Sequence, residues 1–369
     1  MKTIKYLTLF SIILISSSIN AKAPHYTYET EATDSRIEYT GRILKKNNSV
    51  SFDWSGVYTR VKFKGSSISI KCSDTKGDWF NYWIDKEMHE NEDGKFYVNS
   101  LDTLITLTVP NHNKIHEIII QKRTEGEQGC FTIHSILTEH PLLQAKGRKN
   151  RHIEFIGDSY TCGYGTESLS KNDSFLAETE NCNLTYAAIA ARYFNADFNL
   201  ISHSGQGVTR NYDDYKPGWN MTDRYRQTFD EINDISWDTQ SVDWEPNIVV
   251  IYLGTNDFST GKQPILESFA HKYIELLKQI KTNYGENTPI ICLASNANDL
   301  LFDYIRYSCH ISGMKNISYV GLTQNVHNSE NELGASWHPN YLGHKKIASC
   351  IIPYISTITG WEMEAKPYK

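Results

Sequence analysis

The sequence predicts two domains of different class: an N-terminal all-β sandwich of jelly-roll type, then an α/β/α layer structure around a parallel sheet. Three observations carry this. Up to about residue 140, apolar and polar residues alternate in short runs separated by turn residues. Beyond residue 151, unbroken apolar runs alternate with helical periods. The length of 369 residues fits two domains, with a leader at residues 1–23, a β-sandwich at 24–145 and the α/β unit at 146–369.

The leader comes first. Lys2 and Lys5 precede an apolar stretch at 6–15, and small and polar residues follow up to Ala21 and Ala23, where cleavage is expected. The run is too short to span a bilayer and nothing longer follows, so the segment reads as a secretory signal peptide. No cysteine lies near the cleavage point, so a lipid anchor is not expected. The mature chain is expected to be exported, to a periplasm or beyond the cell.

Within 24–145 the strands are read from period-two alternation. In 57–64, Val57, Val61 and Phe63 share one face while Arg60, Lys62 and Lys64 share the other. Ile68, Ile70 and Cys72 continue the alternation, as do Phe80, Tyr82 and Ile84, and 104–109, 116–121 and 130–137 are further strand candidates. Lys64-Gly65-Ser66, Glu92-Asp93-Gly94 and Pro110-Asn111 supply turns between them. Many short strands with no long helical pattern point to a sandwich.

A polar, basic connection at 141–151 leads into the second half. The runs 248–253 (IVVIYL) and 290–294 (IICLA) read as parallel strands buried on both faces. Between them Phe269, Tyr273, Leu276, Leu277 and Ile280 recur at helical spacing, with Gly285 where a C-terminal cap belongs. A helix at 185–194, a strand at 198–202 and a last helix carrying Ile347, Cys350, Ile351, Tyr354 and Ile358 complete the alternation.

Composition narrows the partners. A net charge of -6 with no arginine-rich run argues against nucleic acid. Seven scattered cysteines without a CxxC pair argue against a zinc site; they read mostly as buried small apolar residues, with one or two disulfides left open. The 23 tyrosines and 8 tryptophans suit either sandwich cores or sugar-stacking surfaces. No metal, organic cofactor or protein partner is implied.

Four short stretches carry the chemistry. Gly157-Asp158-Ser159 follows the strand 153–156, at the carboxyl end where open α/β sheets bind ligands. Asp158 or Ser159 capping the next helix is the plainer reading of that tripeptide alone. Ser204-Gly205-Gln206-Gly207 follows the second strand, Gly254-Thr255-Asn256-Asp257 the third, and Trp337-His338-Pro339-Asn340 precedes the last helix. Together they offer a hydroxyl at Ser159, an unobstructed N–H at Gly205, an amide donor at Asn256 and a base at His338. Those are the groups acyl transfer requires.

These ordered blocks resemble the SGNH hydrolase superfamily over residues 151–358. More narrowly, GDSYTCGYG, SGQGVTRN, YLGTND and WHPNYLGH resemble carbohydrate esterase family 2, whose members also join a jelly roll to an SGNH hydrolase fold. The resemblance implies removal of acetyl groups from acetylated polysaccharides or oligosaccharides such as xylan or mannan. Ser159 would be the nucleophile and His338 its base, with Ser159 N–H, Gly205 N–H and the Asn256 amide as oxyanion donors. Tyr212 and Trp337 flank these blocks and are candidate sugar-stacking residues, with simple packing equally weighed for Tyr212.

One position departs from the family pattern. An aspartate is expected two or three residues before the histidine, where Ser336 and Ala335 stand. A backbone carbonyl is the expected substitute acceptor for the second ring nitrogen, with Glu330, Glu332 or a distant carboxylate as alternatives. Asp257 is expected to brace its loop, His344 to pack against the last helix, His203 to be a satisfied buried histidine and Cys162 to pack. A carbohydrate-binding protein with a decayed hydrolase domain is the rival reading.

Overall fold

The structure, a computed structural model, describes residues 26–110, 114–214, 219–232, 235–239, 245–323, 326 and 329–363. The expected signal peptide and Asn111 of the expected turn lie outside the described residues.

The N-terminal half runs β1 (Tyr28–Glu31), β2 (Glu38–Thr40), β3 (Leu44–Lys46), β4 (Ser49–Phe52), β5 (Tyr58–Lys64), β6 (Ser67–Asp74), β7 (Asp78–Ile84), β8 (Gly94–Val98), β9 (Thr103–Thr108), β10 (Ile115–Lys122) and β11 (Phe131–Thr138). They form two antiparallel sheets, β3-β4-β11-β6-β9 with β1 paired to β11, and β2-β5-β10-β7-β8. The sheets meet through residues of their inner faces. Phe80 of β7 and Phe131 of β11 have ring centroids 4.4 Å apart, and Val61, Ile70, Ile118 and Ile133 are buried in the same core. The short strands β1 to β4 and β8 were not expected. Stretches such as YETE and LKK expose most of their side chains, so they carry no apolar alternation to read.

The C-terminal half runs β12 (His152–Gly157), α1 (Ser159–Cys162), α2 (Tyr186–Tyr193), β13 (Asp197–Ser202), α3 (Met221–Arg224), β14 (Ile248–Tyr252), α4 (Leu266–Tyr284), β15 (Ile290–Ala294), α5 (Leu300–Ser312), β16 (Ile317–Gly321) and α6 (Tyr341–Thr359). The five strands are parallel in the order β13-β12-β14-β15-β16. All residues of β12 to β15 are buried, as strands covered by helices on both faces require. The strand order reverses direction at β12, so the crevice at its carboxyl end is the natural ligand position of such a sheet.

Three C-terminal elements were also missed: the one-turn helix α3, which is too short to show a period, β16 and α5. β16 is an edge strand with only Val320 buried, so it has no apolar run. α5 does carry a helical period in Leu301, Tyr304, Ile305, Ser308 and Cys309, between the Asp299 cap and Gly313. All seven cysteines are free thiols and five are buried.

The second β-sheet is not a solvated outer face. Tyr58, Trp83 and Ile119 share a core with Phe198, Leu200 and the α2 alanines, and Tyr58 Oη donates to Asp197 Oδ1 at 2.5 Å. Arg60, read from alternation on the polar face, is therefore buried. Arg42 crosses the same junction, donating to the carbonyls of Tyr225 and Gln227.

Candidate active site

Ser159 opens α1 at the end of β12, and Asp158 caps the helix by accepting from Tyr160 N–H at 3.2 Å. Asp158 takes the cap, which leaves the hydroxyl of the largely buried Ser159 free to meet His338. The turn demands glycine before it, because a Cβ on Gly157 would lie 1.9 Å from Thr161 Oγ1. Ser159 stands at the first helical position, where the backbone N–H has no helical acceptor.

His338 Nε2 lies 2.8 Å from Ser159 Oγ. Its Nδ1 faces the carbonyl oxygens of Ala335 at 3.2 Å and Ser336 at 3.1 Å. Carbonyls only accept, so Nδ1 carries the proton and Nε2 presents its lone pair to the serine. No carboxylate takes that place among the described residues. Glu330 pairs with Lys171 and Glu332 with Lys346. The two carbonyls are turned inward by an uncommon backbone, with φ +50° at Ser336 and +66° at Trp337. Ser336 N–H and Trp337 N–H hold that conformation by donating to the carbonyls of Asp173 and Lys171.

Close backbone packing brings this loop to the serine. A Cβ on Gly165, at φ +64°, would sit 2.7 Å from Ala335 Cβ, and one on Gly334 would sit 2.3 Å from Gly165 O. Tyr164 stacks on the imidazole with centroids 4.1 Å apart, and Tyr160 meets it edge-on at 5.5 Å. Neither tyrosine was singled out from sequence. The flanking glycines of GYG were the available signal, since they mark a segment approached closely by another chain. Burial pushes the His338 imidazole down to about 4, against the opposing pull of its two carbonyl partners. The ring is therefore neutral near neutrality.

Gly205 follows β13 at φ +74°, and its N–H takes no partner among the described residues. Its carbonyl accepts from Tyr212 N–H at 2.7 Å. The Asn256 amide nitrogen lies 2.9 Å from Gln206 O and 3.1 Å from Asp158 Oδ2. It thus ties together the loops after β12, β13 and β14 rather than standing free. Burial raises the Asp158 carboxyl to about 7. Asp257 accepts from the N–H groups of Val208, Thr209 and Arg210 and from Thr209 Oγ1, which makes it the brace of that loop.

Tyr212 and Trp337 are exposed, at 58% and 60%. Lys171 Nζ lies 3.9 Å from the Trp337 ring centroid. Tyr212 sits beside Gly205, whose added Cβ would meet its Cβ at 3.6 Å. His344 is buried, accepts from Tyr186 N–H at 3.3 Å and stacks on that ring. His203 is buried against Asp230 at 2.7 Å. No helix among the described residues is long and apolar enough to cross a membrane.

Comparison with known proteins agrees in both halves. Residues 39–145 match the model of the carbohydrate esterase 2 N-terminal domain, and residues 153–351 match the GDSL-like lipase/acylhydrolase model. A cellulase/esterase, CelE, of Acetivibrio thermocellus is 32% identical over 88% of the chain, which spans only 40% of that longer protein. An acetylxylan esterase / glucomannan deacetylase of Cellvibrio japonicus is 25% identical over 98% of this chain and 99% of its own. The solved structure of a family two carbohydrate esterase from Clostridium thermocellum, in complex with cellohexaose, superposes with a TM-score of 0.79. It is 31% identical, over 88% of this chain and 100% of that one.

Proposed function

The chain belongs to carbohydrate esterase family 2 and carries a GDSL hydrolase domain, and on that premise we propose that it is an exported serine esterase. Its substrates are O-acetyl groups on polysaccharides or oligosaccharides of the xylan or mannan kind. The observation that supports this most directly is a base of defined tautomer, His338 Nε2, 2.8 Å from Ser159 Oγ.

The proposed reaction runs in two halves. Ser159 Oγ attacks the acetyl carbonyl carbon while His338 Nε2 takes the hydroxyl proton. The imidazolium keeps its Nδ1–H on the carbonyls of Ala335 and Ser336, which supply partial negative charge in place of an aspartate. The developing oxyanion is met by the N–H groups of Ser159 and Gly205 and by the Asn256 amide, once that amide turns from its resting acceptors. Collapse expels the sugar oxygen, which takes the proton from His338 and leaves acetyl-Ser159. Water, deprotonated by His338, then releases acetate and restores the serine. No step calls on a metal or organic cofactor.

Released acetate from acetylated xylan, from acetylated glucomannan and from 4-nitrophenyl acetate tests the reading. Wild-type protein is expected to turn over all three ester classes and Ser159→Ala none. Equal activity in the two proteins overturns the site. Glycan binding with no ester turnover would instead favour a carbohydrate-binding role for the same cleft, the reading that the missing aspartate keeps open.

A further inference from the structure

We propose that Glu125, contributed by the N-terminal β-sandwich, is a positioning residue for the oxyanion loop; the inference rests on the esterase reading above. One carboxylate oxygen reaches both segments that carry the backbone donors. Glu125 Oε2 accepts from Ser204 N–H at 2.7 Å, one residue before Gly205. The same oxygen lies 3.5 Å from Cys162 Sγ in α1, three residues beyond Ser159. Glu125 touches neither a reacting atom nor the cleft; it is only 2% exposed.

The Glu125 backbone is itself held firmly. Lys122 Nζ, paired with Asp78 at 2.7 Å, donates to the carbonyls of Thr124 and Glu125. Glu125 N–H donates to Glu180 Oε2 at 3.1 Å. Arg123 donates to Glu180 O and Glu178 O, which fastens the same segment to the C-terminal half. Burial, then the neighbouring Glu125, raises the Glu180 carboxyl well above its usual range.

The other side of the loop is clamped in the same way. His203, next to Ser204, pairs with Asp230, and Asp53 of the β-sandwich accepts from Asp230 N–H at 2.8 and 2.9 Å. Gly205 lacks a side chain to fix its peptide planes, so the direction of its N–H depends on the peptide before it. Oxyanion donors act only when held within about 2.7–3.1 Å of the developing charge. The bond that Ser204 N–H donates to the buried Glu125 side chain supplies that restraint. The β-sandwich thereby takes part in catalysis without touching substrate.

The test compares Glu125→Ala, Glu125→Gln and Ser159→Ala with the full-length wild type on 4-nitrophenyl acetate. Active sites are counted from the acetyl-enzyme burst, and melting temperature is followed in parallel. Glu125→Ala is expected to lower kcat per active site by about 10- to 10²-fold with KM within about threefold, the scale of a roughly 1 Å misplacement. Glu125→Gln is expected to recover most of that loss, because its amide oxygen still accepts from Ser204 N–H. Should Glu125→Ala not fold, Glu125→Asp, which withdraws the carboxyl group from Ser204 N–H, is expected to show the same kcat loss at unchanged KM.

A fall in melting temperature with wild-type kcat per active site, or a glutamine variant no better than alanine, overturns the positioning role. An active wild type with an inactive Ser159→Ala keeps the esterase reading in either case. A wild type without ester turnover removes both.

Discussion

His338 Nε2 stands 2.8 Å from Ser159 Oγ although 179 residues separate them in the chain. The contact is made by two loops packed backbone to backbone, and the imidazole tautomer follows from carbonyls rather than from a carboxylate. Testable consequences attach to each part of that arrangement.

In the proposed mechanism Ser159 and His338 act as one unit, so their losses are expected not to add. Ser159→Ala and His338→Ala are each expected to remove kcat by about 10⁴-fold or more, and the double variant to be no worse than either. Initial rates on 4-nitrophenyl acetate check this. Multiplied losses in the double variant would mean the two side chains work independently.

The pH profile tests the His338 environment. Its folded value near 4 lies below the ordinary 6.5, so the neutral base persists as pH falls. Accordingly kcat/KM should stay level from pH 8 to about 6 and fall only well below 6.5. The linked stability term has the same sign: between 6.5 and 4 the unfolded chain binds the proton and the folded one does not, so stability is lost as pH drops through that window. A kinetic midpoint at or above 6.5 would contradict the burial argument.

Gly165→Ala should act on catalysis through the histidine loop. Its Cβ would press on Ala335 at 2.7 Å from a backbone at φ +64°. Displacing the loop from Ser159 is expected to cost about 10- to 10²-fold in kcat. Steady-state kinetics on the folded variant decide it, and unchanged kcat would show that the loop yields elsewhere.

Trp337→Ala separates sugar contact from chemistry. The indole is exposed beside His338, so its loss is expected to raise KM for acetylated oligosaccharides roughly 2- to 10-fold, the scale of one aromatic contact. Turnover of 4-nitrophenyl acetate should change by less than about twofold. Equal loss on both substrates would assign Trp337 to holding the loop instead.

Asp257→Asn should be a stability variant. It sets an NH₂ group against four donors on residues 208–210, and is expected to cost about 2–4 kcal/mol, seen as a lower melting temperature. kcat per folded molecule should fall far less than in Ser159→Ala. A full loss of kcat at unchanged melting temperature would give Asp257 a chemical role.

Local pattern was enough to read the class of each half, the strongly apolar strands and amphipathic helices, and the four blocks. Unbroken apolar runs mark β14 and β15 wherever the chain goes, and Ser159, Gly205, Asn256 and His338 each stand beside a strand end or helix start that local periodicity reveals. What those positions do to one another is non-local. The inward carbonyls at 335 and 336 arise from positive φ at Ser336 and Trp337, which residue type does not announce. The burial of Arg60 depends on a second half packing over the sheet. Glu125 meets Ser204 across 79 residues. Contacts of that kind exist only once the chain has packed into its tertiary structure, because a single carboxylate or carbonyl has no periodicity to betray its partner.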